Sequence, residues 1–182
     1  LLSLSVGSSV WEKDAVLQLV CKLASPYQLN VQVSKKGSSL SLTFGETTLT
    51  QRNTILRTIC GYGLHFAMDQ APLYLLGGYG ATAMQSTSGP SRAAASMGAI
   101  HMWQSRATDT SPLPLPLLET HLNDHAFLVA ATSQPTVADL DVAHALLSDK
   151  GVVLDEYPHT KRWLATVSQT LSQYAQQTNV PL

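Results

Sequence analysis

The hydrophobic period of this chain changes partway along it, and that change limits the possible folds more than any single motif does. Up to about residue 62, short segments of alternating apolar residues interleave with helical ones, whereas beyond residue 91 the apolar spacing is helical throughout. Period two puts successive side chains on opposite faces of a strand, and period 3.6 gathers them on one stripe of a helix. Leu2, Leu4 and Val6 alternate with Ser3 and Ser5, which predicts a half-buried strand. Ser9 and Glu12 have the S-x-x-E spacing of a capping box, so a helix is expected at once, with Val16, Val20 and Leu23 on one face and Pro26 ending it. Leu29, Val31 and Val33 alternate again, and so do Leu40, Leu42 and Phe44 after a turn at 35–38. Gly45-Glu46 leads into a short fourth strand at 47–50. Asn53 to Tyr62 reads as a helix with Ile55, Leu56 and Ile59 apolar, closed by Gly61 and Gly63. The order is β-α-β-β-β-α.

The Gly- and Ser-rich stretch that includes Gly89-Pro90 marks a boundary, giving an α/β lobe at 1–77, a loop at 78–91 and a helical lobe at 92–182. The helices expected in the second lobe are Arg92 to Thr108, Leu117 to His125, Val137 to Leu147 and Pro158 to about Gln176. Pro112, Pro114 and Pro116 alternate with leucines. Such a run suits a polyproline ligand, but it equally suits a helix start whose angle the prolines fix, and Leu117, Leu118, His121 and Leu122 continue that helix.

Charged residues make up 13% of the 182 residues and the net charge is −1, against about 25% charged in ordinary soluble domains. Neutralising a phosphate backbone needs a basic face, so direct nucleic-acid binding is not expected. No run of about 18 apolar residues is present, which argues against a membrane-spanning helix. Cys21 and Cys60 sit among apolar residues, where a free thiol acts as a small hydrophobe, and this points to a reducing, cytoplasmic setting. The opening Leu1-Leu2-Ser3 has neither Met nor a basic leader, as expected of an excised or processed piece.

Two motifs in the second lobe carry most of the information. Thr136 to Asp139 reads T-x-x-D ahead of an apolar run, a capping box in which Thr and Asp satisfy orphan amides reciprocally. Twenty-four residues after Asp139 stands Trp163, the end of HTKRW at 159–163. Trp163, Val167, Leu171 and Tyr174 fall on one helical face, so Trp163 is expected to pack inward. His159, Arg162, Thr166, Gln169 and Gln173 form the opposite, polar stripe and leave Arg162 presented for a partner. His121 and His125, at i and i+4, have metal-ligand spacing without a third ligand motif, and helix-end histidines are the simpler reading. Asp139 and Asp141, at i and i+2, diverge on a helix, which makes Asp139 a structural residue.

Taken in order, LSLSV at 2–6, TQRNTILRTI at 50–59, IHMWQSRAT at 100–108, AFLVAATSQPTVADLDVAHALL at 126–147 and HTKRW span nearly the whole chain. Together they resemble the glutathione-transferase superfamily, and within it the domains appended to aminoacyl-tRNA synthetases and their scaffold proteins, above all glutamyl- and glutamyl-prolyl-tRNA synthetases. The resemblance implies a thioredoxin-like first lobe and an all-helical second lobe. It also implies an incomplete glutathione site. Ser8 or Ser9 is the nominal thiol-activating hydroxyl, but no proline lies between Pro26 and Pro72 to supply the cis-proline before the third strand. Gln51-Arg52-Asn53 stands where an acidic residue and a serine are expected, and residues 35–38 are too few for the usual connecting helix.

On this resemblance the chain is expected to be a domain without catalytic, cofactor or metal residues that assembles a synthetase, of glutamyl type, or an associated scaffold into a multi-synthetase complex. Its partners are other domains of the same fold, in homo- or heterodimers; tRNA is reached only through flanking sequence, and any ligase chemistry lies elsewhere in the parent chain. Arg162, with His159, Lys161 and Thr166, is the first interface implied, and Ile55, Arg57, Thr58, Met102 and Arg106 belong to a second. The alternatives are an active or degenerate glutathione transferase and a tRNA-binding adaptor.

Overall fold

The computed structural model of the protein describes residues 2–25, 29–34, 37–62, 90–109, 113–130, 132, 134–149 and 151–179. The expected inter-lobe loop lies outside the described residues up to position 89. The first lobe contains β1 (Leu2–Gly7), α1 (Ser8–Trp11), α2 (Ala15–Ala24), β2 (Leu29–Ser34), β3 (Leu40–Phe44), β4 (Thr47–Leu49) and α3 (Arg52–Tyr62). β1 is central, parallel to β2 with Leu4 opposite Val31, and antiparallel to β3 with Leu4 opposite Leu42; β4 follows β3, giving the order β2-β1-β3-β4. Leu2, Leu4 and Val6 are buried on one face with Leu42, and the buried stripes of α2 (Val16, Leu17, Val20) and α3 (Ile55, Leu56, Ile59) join them in the core.

The helix expected to begin at the S-x-x-E box starts later than the box predicts. α1 is a single turn, and α2 begins after Asp14, whose Oδ1 accepts the Leu17 amide at 2.9 Å as its N-cap. Ser9 and Glu12 therefore do not form the expected N-terminal capping box; Glu12 instead ends the single turn of α1 as its C-cap. The cause lies across the sheet: the Gly7 amide donates to the Ser39 carbonyl at 2.7 Å and draws the 37–39 segment against the end of β1. The approach is so close that a Cβ on Gly7 would collide with the Gly37 carbonyl, and Gly37 itself has φ of 116°. That same carbonyl accepts the Ser9 hydroxyl at 2.6 Å, so the group expected to cap is used 28 residues away.

The second lobe contains α4 (Pro90–Asp109), α5 (Leu115–Asp124), α6 (Val137–Ser148) and α7 (Pro158–Thr178). Pro114 is the N-cap of α5 and Pro116 lies within its first turn, so these two prolines start a helix as the second reading expects; Pro112 lies outside the described residues. α7 ends on Asn179 in the left-handed region, with φ of 54°. Trp163, Val167 and Leu171 are buried, as their spacing predicts, and Tyr174 packs against them. One core joins the two lobes, because α2 packs on α6 and α7 while α3 packs on α4 and α6. Cys21 and Cys60 are buried free thiols, and burial pushes both far above the ordinary thiol range. No helix among the described residues is long and apolar enough to cross a membrane.

Candidate functional site

The position of Arg162 is set by two carboxylates that hold α7 at its start. Asp139, wholly buried in the first turn of α6, accepts the Thr136 amide at 2.8 Å, which with the Thr136 side chain on the Asp139 amide forms the capping box, and it also accepts the Thr136 hydroxyl at 2.9 Å. It also accepts the Leu128 amide at 2.9 Å and the indole N–H of Trp163 at 2.9 Å. Burial pushes the Asp139 carboxyl above its ordinary range, against the pull of these hydrogen bonds. Its neighbour Asp141 points away toward α3 and α4, so the two acids diverge as expected.

The second carboxylate is Glu119 of α5. Tyr157, the N-cap of α7, offers no side-chain bond to the orphan amides, and Glu119 takes over that role. Its Oε1 accepts the His159 amide at 3.0 Å, and its Oε2 accepts the Thr160 amide at 2.9 Å and the Thr160 hydroxyl at 2.8 Å. Burial raises the Glu119 pKa, but these bonds and nearby His159 outweigh it, and the carboxyl sits below its ordinary range.

On this fixed helix Arg162 is exposed, and its Nη2 donates to the Leu122 carbonyl of α5 at 3.2 Å. No carboxylate pairs with it among the described residues. Lys161 pairs with Asp155 at 3.3 Å, His159 Nε2 lies 4.0 Å from Glu119, and the Thr166 hydroxyl donates back to the Arg162 carbonyl at 3.2 Å.

The expected second surface is altered by the structure. Ile55 is 0% exposed and belongs to the core, because its side of α3 faces the sheet and not a partner. The Thr58 hydroxyl donates to the Thr54 carbonyl at 2.8 Å, Arg57 is bonded to Gln104 and Thr54, and Arg106 lies over the Trp103 ring at 5.0 Å. Met102, 40% exposed, is the apolar residue of the set that reaches solvent.

Between the lobes lies a cavity of about 410 Å³ bordered by Ser9, Lys13, Asp14, Arg52, Asp141 and His144. Arg52, the first residue of α3, controls its chemistry. The guanidinium pairs with Asp14 Oδ2 through Nε at 2.5 Å and bridges with Nη2 to Asp14 Oδ1 and to Asp141 Oδ1, both at 2.8 Å. These two carboxylates outweigh desolvation and hold Arg52 firmly protonated. Asp141 Oδ2 accepts Gln104 Nε2 at 2.6 Å, so the network runs from the cap of α2 through α3 to α4 and α6. The start of α3, which would hold an incoming anion in an active transferase, is closed by the protein's own ion pairs. Sequence reasoning missed Asp14, Gln104, Asp141 and Glu119 as partners. Only Asp14 left a local signal, since Asp is a favoured cap residue directly before an apolar helical stretch.

The His121 and His125 rings lie with centroids 4.7 Å apart, tilted at 47° to each other, and His121 meets the Trp103 ring edge-on at 5.2 Å. Burial, reinforced by His125, lowers the His121 pKa. Among the described residues no group of three or more His, Cys, Asp or Glu is placed to hold a metal ion.

No protein-family model and no curated protein sequence matches the chain. Solved structures do match it. A glutathione S-transferase of Actinobacillus pleuropneumoniae superposes with a TM-score of 0.52 at 14% identity, over 100% of this chain and 94% of its own. A possible glutathione S-transferase of Rhodopseudomonas palustris gives 0.56 at 17% identity, over 93% of both chains. The URE2P6 protein of Phanerochaete chrysosporium, in apo form, gives 0.55 at 13% identity, over 98% and 97%. At such identities the likeness shows the fold: the chain has a glutathione S-transferase-like architecture, a thioredoxin-like lobe followed by a helical lobe.

Proposed function

We propose that this domain is a non-catalytic interaction module that joins an aminoacyl-tRNA synthetase, of glutamyl type, or an associated scaffold protein to other domains of the same fold. The observation that carries the non-catalytic reading is the double ion pair of Arg52 with Asp14 and Asp141 at the start of α3. A glutathione carboxylate would have to displace one of two carboxylates already bonded there, one of them buried, and no proline stands at 27–71 to offer the backbone of a cis-proline. The synthetase reading rests on the five sequence segments that end in HTKRW. It is supported by Arg162, an exposed guanidinium on a helix fixed at its start and without a carboxylate of its own among the described residues. Association takes place in the cytoplasm, where such complexes assemble.

A glutathione transferase is the second reading, favoured by the fold and by the cavity that Ser9 borders. One experiment separates the two. The purified domain is mixed with the like-folded domains of synthetases and scaffold proteins of its own organism and followed by sedimentation, while glutathione turnover of chlorodinitrobenzene is assayed in parallel. Stable association without turnover supports the module; turnover without association supports the transferase.

A further inference from the structure

Among the described residues two buried side-chain nitrogens have no hydrogen-bond partner, Nε1 of Trp103 on α4 and Nε2 of His121 on α5, and their rings are in contact. The His121 ring is bonded to the backbone of Phe127 and Leu128. With Nε2 left out of those bonds, the proton of the neutral ring sits on Nδ1 and Nε2 is a bare lone pair. The second imidazole, His125, is the C-cap of α5, with its ring centroid 4.7 Å from that of His121. Protonating His121 is therefore unfavourable twice over. It makes Nε2 a second buried donor without an acceptor beside the Trp103 N–H, and it sets a cation against the other imidazole. The charges around the ring do little to offset this. Asp139 on α6 attracts a charge on His121 but already accepts from Thr136, Leu128 and Trp163. Arg106 of α4 lies over the Trp103 ring, and Arg162 of α7 reaches the Leu122 carbonyl, so both of these helices bring cations. On α5 itself Glu119 is held by the α7 amides and Asp124 by Asn123.

We propose that His121 and His125 are an acid-released latch, which closes the end of α5 over Trp103 while His121 is neutral and loosens that turn from α4 when His121 takes up a proton. Burial, reinforced by His125, holds His121 below the ordinary histidine value. The sign follows from that: the latch is fully closed above about pH 6.5 and weakens as pH falls through the lower folded value. The proposal stands apart from the assembly reading, because it needs no partner chain.

The test is hydrogen exchange of the tryptophan indole N–H groups, followed by NMR on the whole chain from about pH 7.5 to 5.5 and corrected for intrinsic exchange rates. Protection of Trp103 should fall by up to about tenfold for each pH unit below about 6.5, the effect of one proton taken up on opening. The Trp163 indole, bonded to Asp139, should keep its protection. His121→Phe, which keeps a ring against Trp103 and cannot be protonated, should hold Trp103 protection constant with pH. His125→Gln, which removes the neighbouring imidazole, should lessen the loss, and it decides the question by itself if His121→Phe does not fold. The proposal is overturned if Trp103 protection does not change with pH, if Trp163 loses protection in step with Trp103, or if either variant shows the full wild-type loss.

Discussion

The indole N–H of Trp163 donates to Asp139 Oδ1 at 2.9 Å, tying the second turn of α7 to the first turn of α6 across 24 residues. The acceptor is the carboxylate that closes the α6 capping box, so one buried acid fixes both helix starts. Asp139→Ala leaves the Thr136 and Leu128 amides and the Trp163 indole without their acceptor. It should cost about 3 kcal/mol or more, above the usual loss of a helix cap. Trp163→Phe should cost about 1–3 kcal/mol, and a double-mutant cycle in urea should show coupling of about 1 kcal/mol. Additive losses would mean that the indole bond contributes nothing.

Arg52 and Lys161 both form ion pairs, but in different surroundings. Arg52→Gln strands Asp141, whose side chain is 4% exposed, with only Gln104 as donor, and should cost about 2–4 kcal/mol. Lys161→Ala breaks a pair whose side chains are 65% and 82% exposed and should change stability by no more than about 0.5 kcal/mol. Equal losses in chemical denaturation would contradict the burial argument.

Glu119 makes stability depend on acid. Its folded pKa lies below the ordinary glutamate value, near 4.3 in peptides, so its contribution is complete above about pH 4.3 and is lost as pH falls through the lower folded value. Glu119→Gln should be less stable than the wild type near neutral pH, and the gap should narrow in the acid range. Urea midpoints taken from neutral pH to about pH 3 measure it; a gap that stays constant or widens in acid would contradict the assignment.

The strands, the helices and the T-x-x-D cap were legible because each depends on residues within a few positions of one another. Trp163 was legible for the same reason, since its face is defined by Val167 and Leu171. What failed or was missed depends on distant partners. Ser9 was expected to cap and instead serves Gly37, 28 residues on. Glu119 caps a helix 40 residues away, and Arg52 reaches Asp14 across 38 residues and Asp141 across 89. Ile55 was assigned to a surface because an apolar helix face looks the same in sequence whether it meets the domain's own sheet or another protein. The ion pairs that close the start of α3 could not be read from Gln51-Arg52-Asn53 alone, although the missing proline was visible.

Arg162 bears on the central claim most directly. Its one bond to the Leu122 carbonyl involves an exposed guanidinium, so Arg162→Ala should leave Tm within about 1–2 °C of the wild type. Removing an arginine that anchors an interface should weaken binding by about 2 kcal/mol or more, roughly 30-fold in Kd. The measurement is titration calorimetry of wild-type and Arg162→Ala domains against the like-folded domain of a synthetase or scaffold protein that the wild type binds. The account predicts unchanged folding with affinity lowered at least about 30-fold. Equal affinity for the two proteins, or no binding by the wild type to any such domain of its own organism, would contradict it.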